Sequence, residues 1–249
     1  MKLHPILLVA ALSTMQVFAG FSELVEKGDF YDKKFQNDKA LDFYLPAEKL
    51  NPKDTDLLVK ISRQYALRMS DLAKDSEKIA SGKKALEYAE RAVAIAPDQC
   101  YPNLSVAICL AKLTPFSSSK EQVEASRKIK DHADKAVKCD PKNDLAWQVL
   151  GRWNQSLSDL GFTKRALAKV VYGGLPEASY AEAVRCFEKA IALNPSRPVH
   201  ILELGRTKAM VGDKNEAANL IEKGLAMPNK DKDDPESKAR AKETLKSIS

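Results

Sequence analysis

The chain has 249 residues, of which 44% are hydrophobic, 30% charged and 7% aromatic, and its formal net charge is +6. This composition is typical of a folded soluble domain and excludes disorder along the whole chain. Lys and Arg form no compact basic run, so no nucleic-acid partner is expected, whereas the mild positive charge permits an acidic one.

The first residues resemble a secretory signal. Lys2 gives a positive start, residues 6–17 are largely apolar, and Val17 to Ala19 supply small residues for cleavage. The apolar run is shorter than the roughly 20 residues of a membrane span. We therefore expect a signal peptide at residues 1–19 and export, in a bacterium to the periplasm, with no need for membrane association. An uncleaved anchor is the alternative.

A repeated pattern follows, in which three small or bulky residues spaced by four and three precede a proline. This spacing places the three residues on one helix face and the proline just past the helix end. The copies are Ala40, Tyr44, Ala47 and Pro52; Ala85, Ala89, Ala92 and Pro97; Ile129, Ala133, Ala136 and Pro141; Ala183, Phe187, Ala190 and Pro195; and the degenerate Ala217, Ile221, Gly224 and Pro228.

Each of these helices is preceded by another helix with a small residue at its middle. We expect this residue to face a small residue of the second helix, which allows tight antiparallel packing. The small residues are Gly28, Ser62, Cys109, Gly151 and Gly205.

Around Trp147, Gly151, Ala183, Phe187 and Pro195 the sequence resembles the tetratricopeptide repeat family. The resemblance implies an all-α fold, an α-solenoid of about five helical hairpins. Successive prolines lie 45, 44 and 54 residues apart, which predicts helices longer than those of the ordinary 34-residue repeat. The solenoid is expected over residues 20–249, with repeats at about 21–54, 55–99, 100–143, 144–197 and 198–231 and a capping helix at 234–248.

Capping residues support these boundaries. Ser179 with Glu182 and Asp213 with Glu216 predict the starts of two second helices, and Ser119 with Gln122 is a weaker candidate. The long insertion before residue 179 is expected to hold a short extra helix from Thr163 to Val171.

Two phrases carry a narrower resemblance. The stretches AVKCDPKNDLAWQVLGRW and AKVVYGGLPEASYAEAVRCFEKAIALNPSRPVHILELGR are similar to the regulator of microtubule dynamics family. The resemblance implies a tetratricopeptide domain used for protein association, in eukaryotes partly at microtubules and mitochondrial surfaces. Combined with the export signal, it indicates a bacterial envelope member.

Signatures of enzymes are missing from the sequence, which contains no nucleophile elbow, phosphate-binding loop or zinc-protease motif. His132 and His200 are expected to be exposed or capping histidines. Neither has metal-ligand spacing with a cysteine. We therefore expect a non-enzymatic scaffold or adaptor without a cofactor.

Arginine follows the small residue in three repeats, at Arg63, Arg152 and Arg206. In tetratricopeptide arrays this side of the first helix faces the concave groove. Arginine forks suit carboxylates, so a protein or peptide segment, in particular an acidic one, is the expected partner. The alternative is that each arginine pairs with an acid inside the solenoid. The candidate groove residues are Arg63, Asn103, Gln148, Arg152, Gln155 and Arg206.

A lipid or other hydrophobic ligand in a tunnel between the helices is a second candidate function. Its lining would be apolar residues that otherwise pack as core. They are Val59, Val106, Leu110, Leu113 and Leu202.

The third hairpin brings Cys100 and Cys139 to one end, so a disulfide between them is a candidate in an oxidising compartment. Cys109 and Cys186 are expected to be buried free thiols.

Overall fold

The computed structural model describes residues 5–160, 168–170 and 173–248, with side chains from residue 19 onward. Throughout these residues the regular structure is helical, and no strand occurs. Of the extra helix predicted from Thr163 to Val171, residues 168–170 are described and are helical, and the rest lies outside the described residues. The fold is an all-α helical solenoid, as predicted.

The chain forms two compact units, Met1–Ala96 and Pro97–Ser249. The first contains α1 (Pro5–Asp32), α2 (Asn37–Leu50), α3 (Thr55–Arg68) and α4 (Asp75–Ile95). The second contains α5 (Cys100–Leu113), a 3₁₀ turn (Thr114–Phe116), α6 (Ser119–Cys139), α7 (Asp144–Ser158), α8 (Tyr180–Leu193), α9 (Pro198–Met210), α10 (Lys214–Ala226) and α11 (Asp234–Ile248).

Consecutive helices pack as hairpins: α1 with α2, α3 with α4, α5 with α6, α7 with α8, and α9 with α10. The repeated prolines stand two residues after the ends of α2, α4, α6, α8 and α10. Proline disfavours a helical conformation in the residue before it, which explains why the second helices end there. The predicted capping helix is α11, which packs on α9 and α10.

Two predicted helix starts are confirmed, since Ser179 and Asp213 accept hydrogen bonds from the backbone N–H groups three residues later. The third was wrong by one residue. Ser118 is the N-cap of α6 and forms a capping box with Glu121. Its extended backbone, with ψ of 161°, suits a cap, whereas Ser119 is already helical.

The expected contact between small residues is wrong for the three glycines, since Gly28 and Gly151 face aromatic rings and Gly205 faces Ile221. A Cβ on Gly151 would lie 2.6 Å from Phe187, and one on Gly28 would lie 2.2 Å from Tyr44. Both rings are fully buried. The glycines therefore make room for the bulky central residue of the second helix.

Helix α1 runs through the end of the predicted signal peptide without a break. Within the described part of the chain, no helix combines the length and apolarity needed to cross a membrane.

The four cysteines are free thiols, with Cys139 exposed and the others buried. The disulfide between Cys100 and Cys139 is therefore not formed in this structure and stays a prediction.

Candidate functional site

A buried carboxylate in the second unit is shared by three arginines. Glu203, on α9, has a fully buried side chain. Its Oε1 accepts hydrogen bonds from Arg152 Nη1 of α7 at 2.7 Å and from Arg240 Nη2 of α11 at 3.4 Å. Its Oε2 accepts one from Arg206 Nη1 at 2.7 Å. We call these four residues the Glu203 cluster.

The sequence explains how two of the arginines reach Glu203. Gly151 and Gly205 face the second helices of their hairpins, and the residue after each lies about 100° further around the helix. Arg152 and Arg206 are therefore directed to the side where α7, α9 and α11 meet. Glu203 lies three residues before Arg206, so both occupy one face of α9.

The cluster carries excess positive charge. Burial alone raises the pKa of Glu203, but the charges of Arg152, Arg206 and Arg240 outweigh it, so this pKa is lowered below its ordinary value. Glu203 is thus ionised at neutral pH and contacts three cations, one of which, Arg240, also pairs with Glu236. The side chains of Arg152 and Arg240 are 38% and 32% exposed, so part of each reaches solvent.

Arg240 has donors that Glu203 does not use. Its Nη1 bonds the carboxylate of Glu236, one turn earlier on α11 and 60% exposed. Its Nε is buried and has no hydrogen-bond partner within the described residues. On the side away from Glu203, Arg240 is therefore paired with a second carboxylate, that of Glu236.

Gln155 supports the cluster from beneath. Its Nε2 donates to Thr207 Oγ1 at 2.9 Å and to the Glu203 carbonyl oxygen at 3.4 Å. Only 3% of Gln155 is exposed, so it contributes to the packing of α7 on α9 rather than to an open groove.

Gln148 belongs to a second network near the starts of α7 and α9. His200 contacts Gln148 Oε1 through Nδ1 and Asp144 Oδ2 through Nε2, both at 2.9 Å. Burial raises the pKa of Asp144, but the hydrogen bond from His200 and the charge of Arg197 outweigh burial, so this pKa lies below its ordinary value. The expectation of an exposed or capping His200 is wrong, because this side chain is fully buried.

Asn103 is also buried. Its Nδ2 donates to the carbonyl oxygens of Pro97 at 2.7 Å and Gln99 at 2.8 Å, and its Oδ1 contacts His132 Nδ1 at 2.9 Å. These bonds satisfy two backbone carbonyl oxygens of the loop before α5. Asn103 therefore does not line an accessible groove.

Arg63 lies in the first unit, where it pairs with Asp32 of α1. Of the six predicted groove residues, the structure brings together Arg152, Arg206 and Gln155. Glu203 and Arg240 were missed. The i, i+3 spacing of Glu203 and Arg206 was an available signal, whereas Arg240 had none within its Lys- and Glu-rich helix.

Two adjoining pockets of about 410 and 360 Å³ lie among α6, α7 and α8 and share Asn154, Glu177 and Glu182. The three shared residues are polar, and the second pocket is lined in addition by the apolar side chains of Val137, Trp147 and Leu150.

Two residues named for an apolar tunnel, Val106 and Leu202, are buried, and Leu202 packs with Ile221 and Ala241. Their packing favours the alternative that these positions belong to the core.

The described residues contain no group of three or more His, Cys, Asp or Glu placed to hold a metal ion.

Comparison with known proteins identifies related sequences. Residues 24–249 match the family described as Regulator of microtubule dynamics protein 1-3. Regulator of microtubule dynamics protein 1 of Mus musculus is 24% identical over 241 residues, which cover 96% of this chain and 78% of the mouse protein. The Bos taurus protein of the same name is 24% identical over 91% of this chain and 72% of its own length.

Solved structures with the same fold are more distant in sequence. A thermophilic TPR protein of Thermus thermophilus superposes with a TM-score of 0.63 and 18% identity, over 90% of this chain and 98% of that chain. The pilF protein of Pseudomonas aeruginosa gives a TM-score of 0.57 and 13% identity, over 94% and 90%. These likenesses show a tetratricopeptide-like fold.

Proposed function

Because the chain belongs to the regulator of microtubule dynamics family, we propose that it is a non-enzymatic scaffold that binds an acidic protein or peptide segment at the Glu203 cluster. The observation that carries this proposal is the charge balance of the cluster. Three arginines share one buried carboxylate, and two of them remain about one-third exposed.

The arrangement suits an extended segment with more than one carboxylate. Arg152, Arg206 and Arg240 come from three helices, so their guanidinium groups are fixed by separate backbones, and Glu203 holds each in place before a partner arrives. A planar guanidinium takes a carboxylate through paired hydrogen bonds. Each charge-assisted hydrogen bond contributes about 1.5–3 kcal/mol when shielded from water.

We place this scaffold outside the cytoplasm, in the bacterial periplasm. The support is the positive start at Lys2, the apolar residues 6–17 and the small residue at Ala19. The microtubules in the names of the relatives then have no counterpart, and the partner of this chain is an envelope protein with an acidic segment.

Binding of a defined peptide tests the proposal. The fluorescence anisotropy of a labelled peptide with alternating Glu residues should rise when the protein is added. The anisotropy of a peptide with Gln at those positions should not change. The double variant R152A/R240A should weaken binding by about tenfold or more, which corresponds to about 1.4 kcal/mol.

The matched control is R185A. Arg185 lies on α8 of the same unit, is 61% exposed and pairs with Glu182, away from the Glu203 cluster. Equal binding of the Glu and Gln peptides, or equal losses in R185A and R152A/R240A, would remove the cluster as the binding site.

A further inference from the structure

Two thiols stand at the same end of the third hairpin. Cys100 is the first residue of α5 and Cys139 is the last residue of α6. The two helices are consecutive and pack side by side, joined by the turn at Thr114–Phe116. The open end of this hairpin therefore carries one cysteine on each helix.

A core cluster at this end links Cys100 to the last turn of α6. Cys100 belongs to a core cluster with Leu104, Ala136 and Ala146, against which Val137 packs. Ala136 is three residues before Cys139, so the cluster that contains Cys100 includes the last turn of α6.

The electrostatics agree with this placement. The pKa of Cys100 is raised to about 11, chiefly by burial and also by the charges of Asp140 and Cys139, against a smaller lowering by a hydrogen bond from Asn143. An electrostatic effect of Cys139 on Cys100 agrees with the placement of both thiols at the open end of the hairpin.

We propose that Cys100 and Cys139 form an intramolecular disulfide when the chain meets a thiol oxidant of the disulfide class. The bond would join the two free ends of the α5–α6 hairpin. It requires Cα atoms within about 7 Å, which the final turn of α6 can provide because Cys139 ends the helix.

The difference in exposure sets the order of the reaction. Cys139 is exposed, and its thiolate attacks one sulfur of the oxidant, releasing the other sulfur as a thiolate. Cys100 then loses its proton and attacks the sulfur of Cys139, which breaks the mixed disulfide and releases the second oxidant thiol. Two protein thiols are oxidised and one disulfide of the oxidant is reduced.

The second step should depend on pH. Because the pKa of Cys100 is raised to about 11, little of its thiolate exists at neutral pH, and ring closure should accelerate as the pH rises.

The remaining cysteines differ from this pair. Cys186 is fully buried, and its burial and the nearby Glu182 raise its pKa to about 12. Cys109 is also buried, at the middle of α5. Neither presents an exposed thiol, so oxidation should select Cys139 and then Cys100.

Oxidation of the full-length chain tests the proposal. The reduced protein is incubated with excess oxidised glutathione in mildly alkaline buffer, and its intact mass is measured. The expected result is a monomer lighter by the mass of two hydrogens, whose proteolytic digest contains a peptide pair joined through Cys100 and Cys139. Dithiothreitol should restore the starting mass.

Three variants make the test specific. C139S should not lose two hydrogens, C100S should retain one glutathione on Cys139, and C186S should behave like the unmodified sequence. An unchanged mass, a disulfide-linked dimer, or a bond between another pair of cysteines would overturn the proposal. The outcome does not depend on whether the Glu203 cluster binds acidic segments.

Discussion

Arg63 in the first unit and Arg152 in the second occupy the same position of the repeat, yet they meet different carboxylates. Asp32, the partner of Arg63, has a side chain that is 20% exposed. Glu203, the partner of Arg152, is fully buried and also bonds Arg206 and Arg240. The repeat position therefore determines where an arginine lies, and the neighbouring helices determine how much charge surrounds it.

This difference has an energetic consequence. An ion pair near the surface contributes about 0–1 kcal/mol, because water screens both charges. A buried carboxylate depends on its cations, and the cations around it repel one another once it is removed. Glu203 therefore contributes more to the stability of the second unit than Asp32 contributes to that of the first.

The largest expected effect is that of E203A. Removing one member of a buried ion cluster costs about 3–5 kcal/mol, because the opposite charges lose their partner. The matched change in the first unit, D32A, should cost less, because Asp32 is partly exposed and its partner Arg63 is 39% exposed. Urea unfolding of both variants measures the two losses, and similar values would show that burial does not distinguish the two carboxylates.

Acid should remove part of the same contribution. The pKa of Glu203 in the folded protein lies below its ordinary value of 4.5. Its ionisation therefore stabilises the fold fully above the unfolded pKa, and this stability is lost as the pH falls through the folded pKa.

The difference in unfolding free energy between the unmodified chain and E203Q should consequently be greatest near neutral pH and shrink below about pH 4.5. Urea unfolding at a series of pH values measures it. A constant difference across that range would contradict the lowered pKa of Glu203.

A smaller effect is expected at the residue before each arginine. In G151A the new Cβ would lie 2.6 Å from the buried ring of Phe187, and such overpacking costs about 1–3 kcal/mol. S62A would remove the hydrogen bond from Ser62 Oγ to the Ala85 carbonyl oxygen, worth about 1 kcal/mol. Thermal unfolding should rank G151A below S62A in stability, and the opposite order would show that the ring can move aside.

The smallest effect concerns binding. If Glu236 occupies the outer side of Arg240 in place of a partner, E236Q should tighten binding of the Glu-containing peptide about two- to fivefold, or about 0.4–1 kcal/mol. E243Q is the control, because it removes the same charge from α11 at a residue that pairs with Lys246 instead of Arg240. Fluorescence anisotropy measures both, and equal gains would indicate a general charge effect.

Most of the fold could be predicted because the packing residues recur. Gly151 with Phe187 and Pro195, and the matching residues of the other hairpins, mark which helix faces meet and where each second helix ends. The sequence did not indicate that Gly151 faces the ring of Phe187. The spacing of a pattern shows which residues share one helix face, but not which residue of the neighbouring helix each of them contacts.

The site was predicted in part. Arg152 and Arg206 each follow a glycine of the repeat, so the repeat pattern predicted that they lie on the same side of their helices. Glu203 lies between leucines in a run that reads as core, and its role appears only when α7 and α11 are placed beside α9. Asn103 and Gln148 were predicted to line the groove, but His132 and His200 reach across from neighbouring helices and bond them inside the protein.

Because Arg240 lies on α11, the third cation of the cluster reaches Glu203 only after that helix has docked on α9. A nascent chain that ends before α11 holds Glu203 with the two arginines of α7 and α9 alone. Docking of α11 on α9 therefore completes the set of three cations around Glu203.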